Sequence, residues 1–186
     1  MDPSQVTSRS LDDLDPSVKL HALAVIARME ARGFPVYVSE TYRSAERQAW
    51  LAEHGRSRVS KDGAHGQRRA LDLVDARMVA GVMVLWGASD PSWGLSAEQV
   101  AARKAAAAEF FRALGEEARA EGFTWGGGWT SLYDPAHLEW PSGAVGKAVG
   151  VVDAHPVTVA LLGTLALLVL VILAIAALPR KPHGPK

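Results

Sequence analysis

The stretch Gly63-Ala64-His65-Gly66-Gln67-Arg68-Arg69-Ala70-Leu71-Asp72-Leu73-Val74-Asp75 decides how this chain is read. Residues 70–74 alternate apolar and acidic side chains. That pattern predicts a short strand with Asp72 on the face opposite Leu71 and Leu73. His65 stands in the turn-rich segment just before it. A second stretch downstream, Asp134-Pro135-Ala136-His137-Leu138-Glu139-Trp140, supplies another histidine on a second short strand over 136–140. His65, Asp72 and His137 make a donor set that suits zinc, because catalytic zinc takes three protein ligands from His and Asp/Glu and keeps a fourth position open. Asp134, three residues before His137, is placed to face the same metal without binding it. A carboxylate there can take a proton from a water that the metal makes acidic.

Composition supports this donor choice. The chain of 186 residues is 48% hydrophobic and 22% charged, enough for one globular domain with an appendage. It contains no cysteine, so disulfides and thiolate metal sites are excluded and any zinc is held by His and carboxylate. The formal net charge is zero, but Arg180, Lys181 and Lys186 lie beyond the last acidic residue, Asp153. The part up to Asp153 therefore carries −3, from 17 basic and 20 acidic residues. A slightly acidic domain argues against nucleic acid as a partner, which calls for a basic face.

Around the two stretches the chain reads as alternating helices and strands. Residues 1–10 are polar and lack the apolar core of a signal peptide. Asp15-Pro16 predicts an N-cap with proline at the first helical position. The stripe Val18, Leu20, Leu23, Val25, Ile26 and Met29 continues that helix to a stop at Gly33. Residues 34–41 are β-branched and aromatic and predict a strand. Ser44 caps a helix ending near Gly55, and 56–63 reads as a loop. The apolar run 79–85 fits a strand or a short helix. Ser96 and Gln99 form a capping-box pattern that opens a long alanine-rich helix, stopped by Gly122. Residues 123–129 read as an aromatic, glycine-rich loop. Trp125, Trp129 and Trp140 are expected in the core or a cleft wall, and Glu139 as a partner that orients a ligating histidine. His21, His54, His155 and His183 are expected on the surface.

Taken together, these motifs resemble a known family. The order Tyr42-Arg43-Ser44 with Gln48, then His65, Ala70 and Asp72, then Trp125-Gly126-Gly127, Trp129, Asp134, His137 and Glu139 is similar to the bacterial and phage zinc D-alanyl-D-alanine carboxypeptidase / L-alanyl-D-glutamate endopeptidase family. Leu11-Asp12-Asp13-Leu14 also resembles the endolysins of this group. The resemblance covers residues 8–141. It implies an α+β fold, a small antiparallel sheet flanked by helices, of the type shared with the Hedgehog signalling domain. It implies Zn2+ held by His65, Asp72 and His137, Asp134 as general base, and Arg43 near the oxyanion or a substrate carboxylate. Arginine suits that place because it stays charged and presents a fixed fork of donors. Three positions depart from the family pattern: Gly63 where serine is usual, Arg68 where glycine is usual, and Gly128 where an acidic residue is frequent.

The resemblance implies an endolysin-like, phage-lysis peptidase acting on the L-Ala–D-Glu bond of peptidoglycan stem peptides. The alternatives are a D-Ala-D-Ala carboxypeptidase and a catalytically silent zinc-binding wall-recognition module. Retention of Asp134 favours the enzyme. The domain plan is a peptidase domain over 1–141, a linker over 142–156, a transmembrane helix over 157–178 and a basic tail over 179–186. Residues 157–178 are uncharged, and at about 1.5 Å per residue they reach about 33 Å, enough for a bilayer core of about 30 Å. The expected location is the bacterial inner membrane of the host, through a single-pass C-terminal helix. The basic tail favours a cytoplasmic C-terminus and an external enzyme. The missing signal peptide favours a cytoplasmic enzyme instead.

Overall fold

The computed structural model describes residues 7–58, 63–87 and 94–142, all within the compact unit Met1–Val145. The expected membrane helix over 157–178, the basic tail, His155 and His183 lie outside the described residues. Among the described residues no helix is long and apolar enough to cross a membrane.

A 3-10 turn over Leu11–Asp13 leads into helix α1, Pro16–Ala31. The Asp15 carboxylate accepts from the Ser17 amide, and Pro16 occupies the first turn, where its missing N–H costs nothing. Strand β1 is Val36–Glu40, and helix α2, Ala45–Glu53, starts at Ser44, whose hydroxyl accepts from the Arg47 amide. Strands β2, Ala70–Val79, and β3, Val82–Leu85, follow as a hairpin. Helix α3, Ala97–Glu121, begins in a complete Ser96/Gln99 capping box and stops at Gly122, which adopts the left-handed conformation. Strand β4, Thr124–Trp125, a 3-10 turn over Gly126–Gly128 and strand β5, His137–Glu139, complete the described chain.

All pairings are antiparallel. The sheet runs β1-β2-β5-β4, with β3 also paired to β2. Helices α1 and α3 pack on each other, and α3 lies on β2, β3 and β4. Val18, Ala22, Val25 and Met29 recur at helical spacing along the buried side of α1 and meet Phe110, Leu114 and Ala118 of α3 over Leu71, Leu73 and Leu138 of the sheet. Each large side chain buried this fully contributes about 1.5–3 kcal/mol. At the rim, Arg28 of α1 and Arg32 just beyond its end bond the carboxylates of Glu117 and Glu121 on α3.

Several expectations need correction. Leu20 and Leu23 are exposed, and His21 takes the buried side of α1 instead. It stacks on Trp140 at 4.1 Å, and its Nδ1 lies 2.7 Å from Glu121 Oε1. An imidazole with an apolar face and one satisfied nitrogen can be buried where a periodic count sees only a polar residue. Strand β2 also runs past Val74 to Val79. Asp75 is fully buried there because Arg77 grips its carboxylate, with Nη2–Oδ2 at 2.8 Å. The run 79–85 is a strand over Val82–Leu85, with Val79 closing β2 and residues 80 and 81 forming the turn between them. Ala80 (φ 51) and Gly81 (φ 78) are both left-handed, as a two-residue hairpin turn requires. The loop over 123–129 contains β4 and a 3-10 turn.

Candidate metal centre and cleft

Three segments far apart in sequence converge on one point. Asp72 on β2 is the register partner of His137 on β5, so their side chains rise from adjacent strands on the same face. His65 comes from the turn before β2, which is closed by Gln67 N–H to Gly63 C=O and Arg69 N–H to Ala64 C=O. His65 Nε2 lies 3.2 Å from His137 Nδ1 and 3.3 Å from Asp72 Oδ1, and His137 Nδ1 lies 3.0 Å from that same oxygen. These atoms form a near-equilateral triangle.

The second nitrogen of each imidazole is accounted for. His65 Nδ1 is 3.0 Å from the Thr41 carbonyl. A proton on Nδ1 donates there and leaves the Nε2 lone pair facing the triangle. His137 Nε2 is 3.6 Å from Glu139 Oε2, which draws the proton to that side and frees Nδ1. Ligand atoms at about 2.0–2.2 Å from a tetrahedral zinc stand about 3.3 Å from one another, so the triangle fits that ion. The donor chemistry fits as well, with two imidazoles and one carboxylate and no sulfur.

The electrostatics concentrate negative charge here. Burial alone would raise the Asp72 carboxyl, but His65 and His137 overcome it and hold the group well below the usual carboxylate range. Burial works against charge on His137, yet Asp72 and Glu139, with Asp134 behind them, push its pKa up to about 9. Asp134 moves the other way. Burial and the nearby Asp72 charge raise its carboxyl above the ordinary value, against the pull of His137, His65 and Arg43. A carboxylate raised in this way is a stronger base.

Asp134 is placed by a tight turn. The His137 amide donates to the Asp134 carbonyl at 3.2 Å, with Pro135 at the position where its fixed φ is favourable. Gly126 packs under this turn. A Cβ on Gly126 would sit 2.4 Å from the Asp134 carbonyl oxygen and 3.1 Å from the His137 Cβ. Its own carbonyl accepts from the Asp134 amide at 3.2 Å. Trp125 bonds the Pro135 carbonyl through Nε1 at 2.8 Å, and Trp129 lies against the His137 ring at 5.1 Å. Trp140 is buried in the core.

Arg43 lines the cleft with His65, Trp129, Asp134 and His137. Its Nη2 is 3.8 Å from Asp72 Oδ2, Nη1 donates to Gln48 Oε1 at 3.0 Å, and Nε donates to Glu40 Oε2 at 2.9 Å. Sequence reasoning missed Glu40. It is buried, accepts from both Arg43 and Arg47, and stays below the ordinary glutamate range: burial raises it, but Arg43 and Thr7 outweigh that. A β-bulge between Val38 and Glu40 sets Glu40 opposite Asp72. No motif marks such a residue. The one signal was an acidic side chain at the end of an otherwise apolar strand.

The departures can now be placed. Arg68 has φ 59, the left-handed conformation that glycine adopts without strain. Its guanidinium lies over the Tyr42 ring at 5.1 Å and donates to the Asp13 carbonyl at 3.1 Å. A Cβ on Gly63 would meet only the end of the Gln48 side chain, at 3.1 Å, and one on Gly128 would meet nothing within 4 Å.

Residues 54–140 match the family model described as D-alanyl-D-alanine carboxypeptidase. That segment contains His65, Asp72, Asp134 and His137, while Arg43 precedes it. The segment that carries the triangle is thus similar to peptidases of the D-alanyl-D-alanine carboxypeptidase family, in line with the order of motifs. Among solved structures, the Serratia marcescens L-Ala D-Glu endopeptidase ChiX is 28% identical, with 73% of this chain and 89% of that chain covered and a TM-score of 0.40. No curated protein matches the chain.

Proposed function

We propose that the chain is a zinc-dependent, endolysin-like peptidase that hydrolyses the L-Ala–D-Glu bond of peptidoglycan stem peptides. The observation that carries this reading is the His65–Asp72–His137 triangle with Asp134 beside it, inside the segment that matches a peptidase family. His65 Nε2, Asp72 Oδ1 and His137 Nδ1 would hold the metal. Zinc, when bound, supplies Lewis-acid polarisation of the scissile carbonyl and acidifies water.

The chain's own residues supply the rest. The Asp134 carboxylate, with its raised pKa, takes a proton from the attacking water and returns it to the leaving amine. Arg43 keeps its fork aligned through Glu40 and Gln48 and faces the charge that develops on the substrate oxygen. Glu139 and the Thr41 carbonyl hold the two imidazoles in orientation. Trp129 forms the apolar wall beside His137.

A second reading, D-Ala-D-Ala carboxypeptidase activity, is favoured by the description of the matching family. Masses of fragments released from defined peptidoglycan separate the two. New N-terminal D-Glu supports the endopeptidase, free D-Ala supports the carboxypeptidase, and intact wall counts against both. We also propose that residues 157–178 anchor the chain in the host inner membrane. Support for this is the uncharged length of that run and the basic residues after it.

A further inference from the structure

The cleft is not uniformly acidic. Its floor carries Asp134, Glu139 and the two histidines, with Asp72 bonded to both rings, and the arginine there, Arg43, is paired with Glu40. The segment after α2 contributes two more arginines to the lining, Arg56 and Arg58, both exposed. Among the described residues, neither guanidinium has a carboxylate or carbonyl partner within bonding distance. The segment is nevertheless tied to α2 at Arg56 and Ser57. The Arg56 amide donates to the Leu51 carbonyl at 2.7 Å, and Ser57 Oγ accepts from Gln48 Nε2 at 2.8 Å. Gln48 in turn receives Arg43 Nη1, so the rim is tied to the floor through one buried amide. Two cations without a carboxylate partner among the described residues, held at the mouth of a cleft, raise the local concentration of anions there. A planar fork suits a carboxylate in particular.

We infer that Arg56 and Arg58 form a carboxylate-reading rim that selects peptides bearing a free carboxylate beside the bond placed at the metal centre. This deepens the proposed function and rests on it for the nature of the peptide. On L-Ala–D-Glu the group read is the D-Glu α-carboxylate, and a substrate amidated at that carboxyl is discriminated against.

The test uses the full chain, zinc-loaded, and two dipeptides, L-alanyl-D-glutamate and the same compound with its α-carboxyl amidated. Binding is followed by tryptophan fluorescence in the first milliseconds after mixing, so that turnover does not enter. Trp129 in the cleft is the reporter. The free carboxylate form should bind at least tenfold more tightly. Arg56→Gln and Arg58→Gln should each weaken it roughly fivefold, the scale of an exposed ion pair, and leave the amide unchanged. The double variant should bind both peptides alike, and Arg58→Lys should recover part of the preference. High salt should erase the preference in the wild type.

Equal binding of the two peptides by the wild type, no binding of either, or a preference that survives in the double variant overturns the inference. Cleavage of peptidoglycan is measured separately. Carboxylate preference without wall cleavage sinks the proposed function and leaves the rim standing. Wall cleavage without carboxylate preference does the reverse.

Discussion

His65 Nε2 and His137 Nδ1 face each other across 3.2 Å, with Asp72 Oδ1 closing the triangle. Both second nitrogens have oxygen partners, so the lone pairs of both rings converge on one point. A divalent cation at that point satisfies all three donors. We predict close to one zinc per chain and a rise in melting temperature when zinc is added to chelated protein. A ligand at about 100 times its Kd adds about 2.7 kcal/mol. His65→Ala and His137→Ala should each lose the metal by elemental analysis. Full zinc in either variant would remove that residue from the ligand set.

Asp134 has a raised pKa and interacts electrostatically with the ligands without joining their triangle. Asp134→Asn should keep zinc and melting temperature and lower the rate of wall cleavage by roughly 10²–10⁴-fold. Loss of zinc in this variant would mean that Asp134 is a ligand, and near-normal cleavage would dismiss it as the base.

Gly126 packs against the turn that carries both Asp134 and His137. The atom a new Cβ would strike is backbone, which cannot swing aside. Gly126→Ala should therefore cost about 1–3 kcal/mol, the usual range for overpacking, and should damage zinc affinity as well. Gly128→Ala, in open space, serves as the control. Equal behaviour of the two variants in thermal melts would contradict this account of the turn.

The chelated protein should respond to pH through His137. Its pKa is raised from 6.5 to about 9 by Asp72, Glu139 and Asp134 against the effect of burial. A raised histidine stabilises the fold while it is protonated. That contribution is complete below pH 6.5 and is lost as pH rises through about 9. Zinc needs the neutral ring, so its affinity should strengthen over the same window. Melting curves of chelated and zinc-loaded protein from pH 6 to 9.5 should diverge as pH rises, and parallel curves would contradict the assignment.

We predict that the full chain partitions with membranes and that truncation after Pro141 releases a soluble protein with unchanged wall chemistry. Leu, Ile and Val each favour insertion by roughly 0.3–0.6 kcal/mol at a helix centre, and residues 157–178 carry no charge to oppose them. Fractionation of cells expressing the full chain checks this. Recovery in the detergent-free soluble fraction would rule the anchor out.

Much of this fold was legible because its punctuation is local. Asp15-Pro16, Ser44 and the Ser96/Gln99 pair each fix a helix start within one turn of chain, and Gly122 fixes a stop. His65, Asp72 and His137 were legible because their residue types are chemically distinctive and keep a family order. What escaped depends on partners distant in sequence. Asp75 is tolerable inside a strand only because Arg77 covers it, and Arg77 is held in turn by Glu109 and the Ala106 carbonyl of α3. His21 is buried because Trp140 stacks on it from the far end of the chain. Ala80 in a left-handed turn carries no sequence mark, since alanine is a helix former. Glu40 holds Arg43 and Arg47 in place and is itself reached by the Thr7 hydroxyl from 33 residues earlier.

The pairing of Asp72 with His137 across β2 and β5 carries a further meaning. Side chains alternate along a strand, so a slip of one residue would turn Asp72 toward the core and Leu71 or Leu73 toward the metal position. A chain threaded out of step loses apolar burial and the donor triangle together. The metal centre therefore acts as a proofreader of the sheet. It is completed only in molecules whose central strands have met in step, and a molecule that has met them wrongly is born without the proposed cutting site.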